Sequence, residues 1–247
     1  MKYKDYSTDI WSRINTTLDQ VLKEDPNPVA AFDADGTLWD IDLGETFFHY
    51  QIDNKLVPLP PHPFEHYEDM KAENPEKAYL WLAQICKGQS LEQVHKWAVE
   101  GVKEQHPLPI FLQQKKLIDL FLSKGVKVYV VTASVKWAVE PGAEILGLTK
   151  DCVLGVETHV DNGFVSDRQK GIITYRQGKV DALLAATGGK KPFFASGNTM
   201  GDYQLLQNAT HLSLAVSAAA RDDKLFKTEF ELQQNAEKFG WLAHRFV

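Results

Sequence analysis

The stretch Val29-Ala30-Ala31-Phe32-Asp33-Ala34-Asp35-Gly36-Thr37-Leu38 decides how the rest of the chain is read. Its four leading apolar residues form a run too short for a helix and fit a buried strand. Two carboxylates at i and i+2 leave that strand, and a glycine just beyond turns the chain sharply. In extended backbone the pair would point the same way. A turn at the strand end instead aims one carboxylate at a substrate and lets the other act beside it. Such a pair is a hard-oxygen site suited to Mg2+, and either member has the chemistry of a nucleophile or of an acid and base. The plain alternative is an aspartate-rich turn, because Asp-Gly is common turn chemistry. A buried strand before the pair and Thr-Leu after it weigh against that.

Working outward, residues 5–24 carry Ile10, Ile14, Leu18 and Leu22 at four-residue intervals, an amphipathic helix stopped by Asp25-Pro26-Asn27-Pro28. Further buried strands are expected at 126–131, 192–195 and 211–216. Helical patterns lie at 109–124, closed by Gly125, and at 134–147, 178–187 and 200–208. This alternation predicts an α/β fold, a Rossmann-like parallel sheet sandwiched by helices, with its site at the carboxyl ends of the strands.

Two stretches break the alternation. Between Asp35 and Thr132 lie 96 residues, whereas a strand–helix–strand crossover needs about 30. The surplus predicts a small helical cap over 43–107, inserted into a core made of 1–42 and 108–247. It contains a proline-rich loop from Pro58 to Pro63, a helix opened by Asn74-Pro75-Glu76, and another opened by the capping box Ser90-Leu91-Glu92-Gln93. The second break is a β-hairpin, Val156–Val160 and Phe164-Val165 around Asp161-Asn162-Gly163. The tail from about Asp222 reads as a polar-rich helix.

Three more strand or helix ends carry chemistry. Thr132, Ala133 and Ser134 follow Val130-Val131, where a hydroxyl and the amides opening the next helix would cradle an anion; a plain N-cap is the alternative. Lys179, in Gly178-Lys179-Val180, sits at a helix start that already carries positive partial charge, a misfit that an anion would relieve. In Ser196-Gly197-Asn198-Thr199-Met200-Gly201-Asp202, the glycines permit close backbone approach while Asn198 and Asp202 offer oxygen ligands.

Composition narrows the partners. The chain has 247 residues, 27 Lys and Arg against 33 Asp and Glu, and a net charge of −6. A nucleic-acid binder would need a clustered basic surface. Two cysteines, Cys86 and Cys152, are too few for a disulfide scaffold. No apolar stretch approaches the roughly 18 to 20 residues that span a bilayer, and the opening MKYKDYSTDIWSRI is too polar for a secretory signal. The expectation is a cytoplasmic monomer or small homo-oligomer that binds neither nucleic acid nor membrane.

In their joint order, Asp33-Ala34-Asp35-Gly36-Thr37, then Thr132, then Lys179, then Gly197–Asp202 resemble the four-motif signature of the haloacid dehalogenase superfamily. The helical insertion after the first motif resembles the phosphoserine phosphatase-like branch. The resemblance implies a Mg2+-dependent phosphatase acting on a small phosphorylated metabolite. Asp33 would be the nucleophile that forms an aspartyl-phosphate. Asp35 would protonate the leaving alcohol, later activate water, and offer Mg2+ its backbone carbonyl. Thr132 and Lys179 would hold the phosphoryl oxygens, with the chain at Ala133 and Gly36 completing the phosphate site. Asp33, Asp35, Asn198 and Asp202 would make the metal site.

One departure is visible. The fourth motif of that branch usually reads Gly-Asp-x-x-Asn-Asp, and here Asn198 stands where the first aspartate would be and Gly201 where the asparagine would be. An asparagine carbonyl can ligate Mg2+ with one less formal charge. Lys170 competes with Lys179 for the lysine's place, and the Gly-Lys context at a helix start favours Lys179. The second aspartate argues against the dehalogenase branch, and the absence of spanning segments against a P-type ATPase. A phosphotransferase uses the same residues, and a weakly active phospholigand-binding protein is the rival from another class. Phosphoserine is the first substrate expectation, with Asp42 and Glu45 available to a substrate amine. Trp39, Trp81, Trp97 and Trp137 suggest phosphocholine or phosphoethanolamine as the alternative, because aromatic rings enclose quaternary ammonium groups.

Overall fold

The computed structural model describes residues 3–247, so Met1 and Lys2 of the polar opening lie outside the described residues. The run Val29–Phe32 is strand β1 and sits in the middle of a seven-stranded sheet. The other strands are β2 (Lys127–Val135), β3 (Val153–Asp161), β4 (Phe164–Lys170), β5 (Phe194–Gly197), β6 (Leu212–Ser217) and β7 (Leu242–Arg245). Their order is β4-β3-β2-β1-β5-β6-β7. All neighbours are parallel except β3 and β4, which form the expected antiparallel hairpin. Asn162 and Gly163 both adopt positive φ at its turn, as a two-residue hairpin loop requires.

The central strand shows why both faces must be covered. Ala30 and Phe32 point into one hydrophobic cluster and Val29 and Ala31 into another, the period-two alternation of a strand buried on both sides. The first cluster packs α1 (Thr8–Glu24) and α6 (Leu112–Ser123) through Ile14, Leu18, Leu117 and Phe121. The opposite cluster packs α8 (Gln177–Thr187), α9 (Tyr203–Gln207) and α10 (Phe226–Phe239) through Leu183, Leu205 and Leu232. Among the described residues no helix is long and apolar enough to cross a membrane.

Four helices lie between β1 and β2: α2 (Leu43–Asp53), α3 (Pro63–Glu73), α4 (Pro75–Gln84) and α5 (Leu91–Glu104). Asn74 and Ser90 cap α4 and α5, and Pro75 takes the first helical position. These helices share a third hydrophobic cluster, which also includes Val135 at the end of β2, Trp137 of α7 (Lys136–Ile145), Val156 of β3 and Val165 of β4.

Two expectations need correction. Residues 132–135 continue β2, and α7 begins only at Lys136, so Thr132 and Ser134 do not open a helix. The β2–β3 register shifts between Val131 and Val135, a bulge of the kind that re-aims side chains beside a site. The tail is a helix as expected, but it is followed by β7, a short strand with polar positions and no alternation that marks it in the sequence.

Beyond β7, Phe246 is fully buried and stacks on Phe111 with ring centroids 4.0 Å apart. We expect Phe246→Ala to lower unfolding free energy by about 3–5 kcal/mol in urea titrations. A loss below about 1 kcal/mol would mean that this edge is not part of the cooperative core.

Candidate active site

The carboxyl ends of β1, β2 and β5 converge on one cavity of about 370 Å³. Asp33, Asp35, Thr132, Ala133, Ser134, Lys179, Asn198 and Asp202 all line it. At its centre the Lys179 ammonium lies 2.5 Å from a carboxylate oxygen of Asp33 and 2.5 Å from one of Asp202. All three side chains are buried. Lys170 is ruled out as the site lysine: it is exposed on β4 and pairs with Glu157. Gly178 explains the Gly-Lys pairing, because a Cβ there would run into the Ile173 carbonyl and hold the start of α8 away.

Each carboxylate is fixed differently. Thr37 Oγ1 donates to Asp33 Oδ2 at 3.1 Å. The Asn198 and Thr199 amides donate to Asp202 Oδ2, leaving Asp202 Oδ1 to the lysine. Gly197 must lack a Cβ because the Asp202 side chain occupies that space. Asp35 accepts from Trp39 Nε1 at 2.8 Å, the Leu43 amide at 2.8 Å and Ser134 Oγ at 2.6 Å. Three neutral donors thus orient Asp35, while Asp33 faces a cation.

The charges respond accordingly. Burial, then the Asp202 charge, raise Asp33 above the usual carboxylate range against the pull of Lys179. Burial pushes Asp35 up to about 6 despite its hydrogen bonds from Ser134, Leu43 and Trp39. For Lys179, burial acts downward, but Asp202 and Asp33 outweigh it and hold the ammonium above its ordinary value.

The expected phosphate-binding positions divide. Thr132 Oγ1 accepts from the Ser134 amide, which leaves the hydroxyl proton free to donate. Ala133 lines the cavity. Gly36 does not offer its amide, which donates to the Trp39 carbonyl at 2.9 Å. Its contribution is conformational: φ is +73°, and a Cβ would strike the Asn198 side chain. The Ser134 hydroxyl and amide are likewise both spent, so Ser134 serves Asp35 and not an anion cradle.

The donor set suits a hard divalent cation. Asp33 and Asp202 would contribute carboxylates to it, and the Asp35 carbonyl and Asn198 amide oxygen would be the neutral ligands. Asp35's own carboxylate is committed to its three donors, so only its carbonyl belongs in such a set. Among the described residues, no three His, Cys, Asp or Glu side chains form a metal cluster by themselves. Among the described residues, eight carboxylates and three lysines nevertheless line the cavity, an acid surplus that a bound cation would offset.

Asp42, Glu45, Tyr67, Lys71 and Tyr79 from α2, α3, α4 and the approach to α2 line the same cavity. Lys71 Nζ donates to Glu45 at 2.8 Å, and Lys224 lies 3.5 Å from the same carboxylate. Burial, then the charges of Asp35 and Glu45, push Asp42 up to about 8. The tryptophans do not enclose this space. Trp39 is buried in the core, Trp137 is buried against the helices, and neither these nor Trp81 and Trp97 line the cavity. Sequence reasoning did not find Lys71, Lys224, the three lining tyrosines including Tyr175, or Glu229. Only Trp39 had a local signal, standing four residues after Asp35.

Comparison with known proteins identifies the family and the fold. A profile of haloacid dehalogenase-like hydrolases matches residues 30–207. No curated protein matches the sequence. A conserved functionally unknown protein from Anaerococcus prevotii DSM 20548 has a similar structure, with a TM-score of 0.75 at 14% identity over 98% of this chain and 95% of its own. A protein of unknown function from Bordetella pertussis Tohama I superposes with a TM-score of 0.69 at 18% identity, over 88% of this chain and 98% of its own. A phosphoserine phosphatase, solved as a phospho-aspartyl intermediate analogue, gives 0.51 at 18% identity over 77% of this chain and 86% of its own. The chain therefore belongs to the haloacid dehalogenase-like hydrolases and carries a phosphoserine phosphatase-like form of their fold.

Proposed function

We propose that the protein is a Mg2+-dependent phosphatase that hydrolyses a small phosphomonoester through an aspartyl-phosphate on Asp33. One observation carries the reading: two aspartates two residues apart enter one cavity in different company, Asp33 against Lys179 and Asp35 against three neutral donors. A nucleophile and an acid/base need that division. Asp33 attacks phosphorus in line, and the bond from phosphorus to the leaving oxygen breaks. Asp35 gives that oxygen its proton. A water then loses a proton to Asp35 and attacks the same phosphorus, releasing inorganic phosphate and restoring Asp33. Lys179 and the Thr132 hydroxyl are placed to hold phosphoryl oxygens. Mg2+ held by Asp33, Asp202, Asn198 and the Asp35 carbonyl would supply positive charge to the phosphoryl group.

Residues 43–107 act in this reading as a helical cap that selects the leaving group. Glu45, with Lys71 and Lys224 on its carboxylate, presents groups of both signs to the cavity that Asp33 also lines. A leaving group bearing both charges, as in phosphoserine, satisfies both. Choline or ethanolamine would leave Lys71 facing a cation, and the tryptophans that motivated those substrates lie elsewhere.

We expect purified protein to release phosphate from a phosphomonoester panel with Mg2+ and not with EDTA; no release from any member would refute the enzyme. Asp33→Asn should abolish release with an unchanged circular dichroism spectrum. Asp35→Asn should lower kcat by about 10² to 10⁴, and a kcat unchanged in this variant would remove Asp35 from proton transfer. Lys71→Met should raise KM for a carboxylate-bearing ester by about tenfold with kcat little changed. Equal KM values in variant and parent would place the leaving group away from Lys71.

A further inference from the structure

A buried acid outside every motif of the sequence reaches this site. Glu229, on the first turn of α10, is buried, and all three of its hydrogen bonds come from neutral donors. Its Oε2 accepts the amides of Ala218 and Ala219 at 3.0 and 2.8 Å. Its Oε1 accepts Asn198 Nδ2 at 3.0 Å. The nearby Arg245 guanidinium does not pair with it and instead donates to the Ala219 carbonyl.

We infer that Glu229 is a positioning residue: it determines which end of the Asn198 amide faces the cavity, and it lends the adjacent oxygen the negative character that a divalent cation needs. An ionised carboxylate only accepts hydrogen bonds. The Asn198 NH2 group must therefore face Glu229, and its carbonyl oxygen must face the other way. On that side Thr37 Oγ1, which also bonds Asp33, lies 3.3 Å from Asn198 Oδ1. Glutamine at 229 has the same shape and would reverse this. Its oxygen would keep the two backbone amides, its NH2 would face Asn198, and Asn198 would have to turn its own NH2 toward the cavity. A cation would then meet a donor. The acid at 229 thus does what a carboxylate at 198 would do directly, with the charge displaced outward by one hydrogen bond.

That symmetry supplies the test. In Asn198→Asp combined with Glu229→Gln, the glutamine oxygen accepts both backbone amides, its NH2 donates to the new aspartate, and oxygen again faces the cavity. Mg2+ binding to the full-length protein is measured by calorimetry, without substrate, for the parent, Glu229→Gln and the double variant. Melting of each without Mg2+ reports the fold separately. Glu229→Gln is expected to weaken Mg2+ binding by about 10- to 100-fold, and the double variant to return within about threefold of the parent. A purely structural role would lower the melting temperature and leave the Mg2+ affinity within about twofold, which would overturn the inference. A double variant as weak as Glu229→Gln would overturn it too, as would a parent that binds no Mg2+. If Glu229→Gln does not fold, the double variant decides the matter alone, and its failure to bind Mg2+ refutes the inference. The inference rests on the proposed cation site and not on turnover. Intact Mg2+ behaviour without phosphate release would sink the phosphatase and leave Glu229 in place.

Discussion

One ammonium clasped between two buried carboxylates organises this molecule. Lys179, Asp33 and Asp202 come from the start of α8, the end of β1 and the loop after β5, so their contact ties three separate pieces of chain to one point. Leaving any one of these charges buried without its partner would cost about 3–5 kcal/mol. The backbone has been fitted to the contact. Gly178 lets the start of α8 approach the Ile173 carbonyl, and Gly197 leaves room for the Asp202 side chain. Glycines that read in the sequence as permissive turn residues are required here by close approach.

From that point the polar order spreads along β1 and β2. Asp35 leaves the strand two residues after Asp33 and is held by an indole, a hydroxyl and a backbone amide. The amide belongs to Leu43, the first residue of α2, so the orientation of the acid and the entry of the chain into its four inserted helices are settled by one side chain. Trp39 is fully buried, and Gly142 of α7 leaves it space, since a Cβ there would sit 2.7 Å from the ring. Packing of the core and placement of the acid are therefore one problem. The bulge in β2 works to the same end by extending the strand past Val131, so that Ser134 meets Asp35 where a helix start would have carried it away.

Much of this was legible in the sequence because it rests on local order. The strands around Phe32, Val130, Phe194 and Leu214 are short apolar runs, and a parallel sheet buried on both faces leaves that mark. Asp33 directly follows such a run, Asp202 stands in the glycine-bearing loop after another, and Lys179 follows Gly178 at a helix start, so element ends converging on one edge bring them together. The strand β7 was not legible, since Leu242–Arg245 mixes two apolar with two basic residues and earns its place only by pairing with β6. Nor were Lys71 and Glu229. Both are charged residues on amphipathic helices, where a solvated face is the ordinary reading, and only the tertiary packing turns them inward. Ser134 was singled out for the wrong partner, because a hydroxyl after a strand looks the same whether a helix begins there or the strand continues.

The overall charge of −6 said little about an anionic substrate, and the cavity shows why. Acids outnumber bases along its lining, and its lysines are already engaged: Lys179 by Asp33 and Asp202, Lys71 and Lys224 by Glu45. A phosphate dianion entering such a space meets repulsion at short range, where screening by salt is weakest. Attraction cannot come from the field of the whole protein; it has to be generated within a few ångströms of phosphorus. Burial of the acids, which raises the cost of each uncompensated charge, increases the return from placing a divalent cation among them. Carboxylates packed too densely for an anion site are thereby suited to an anion site completed by a metal.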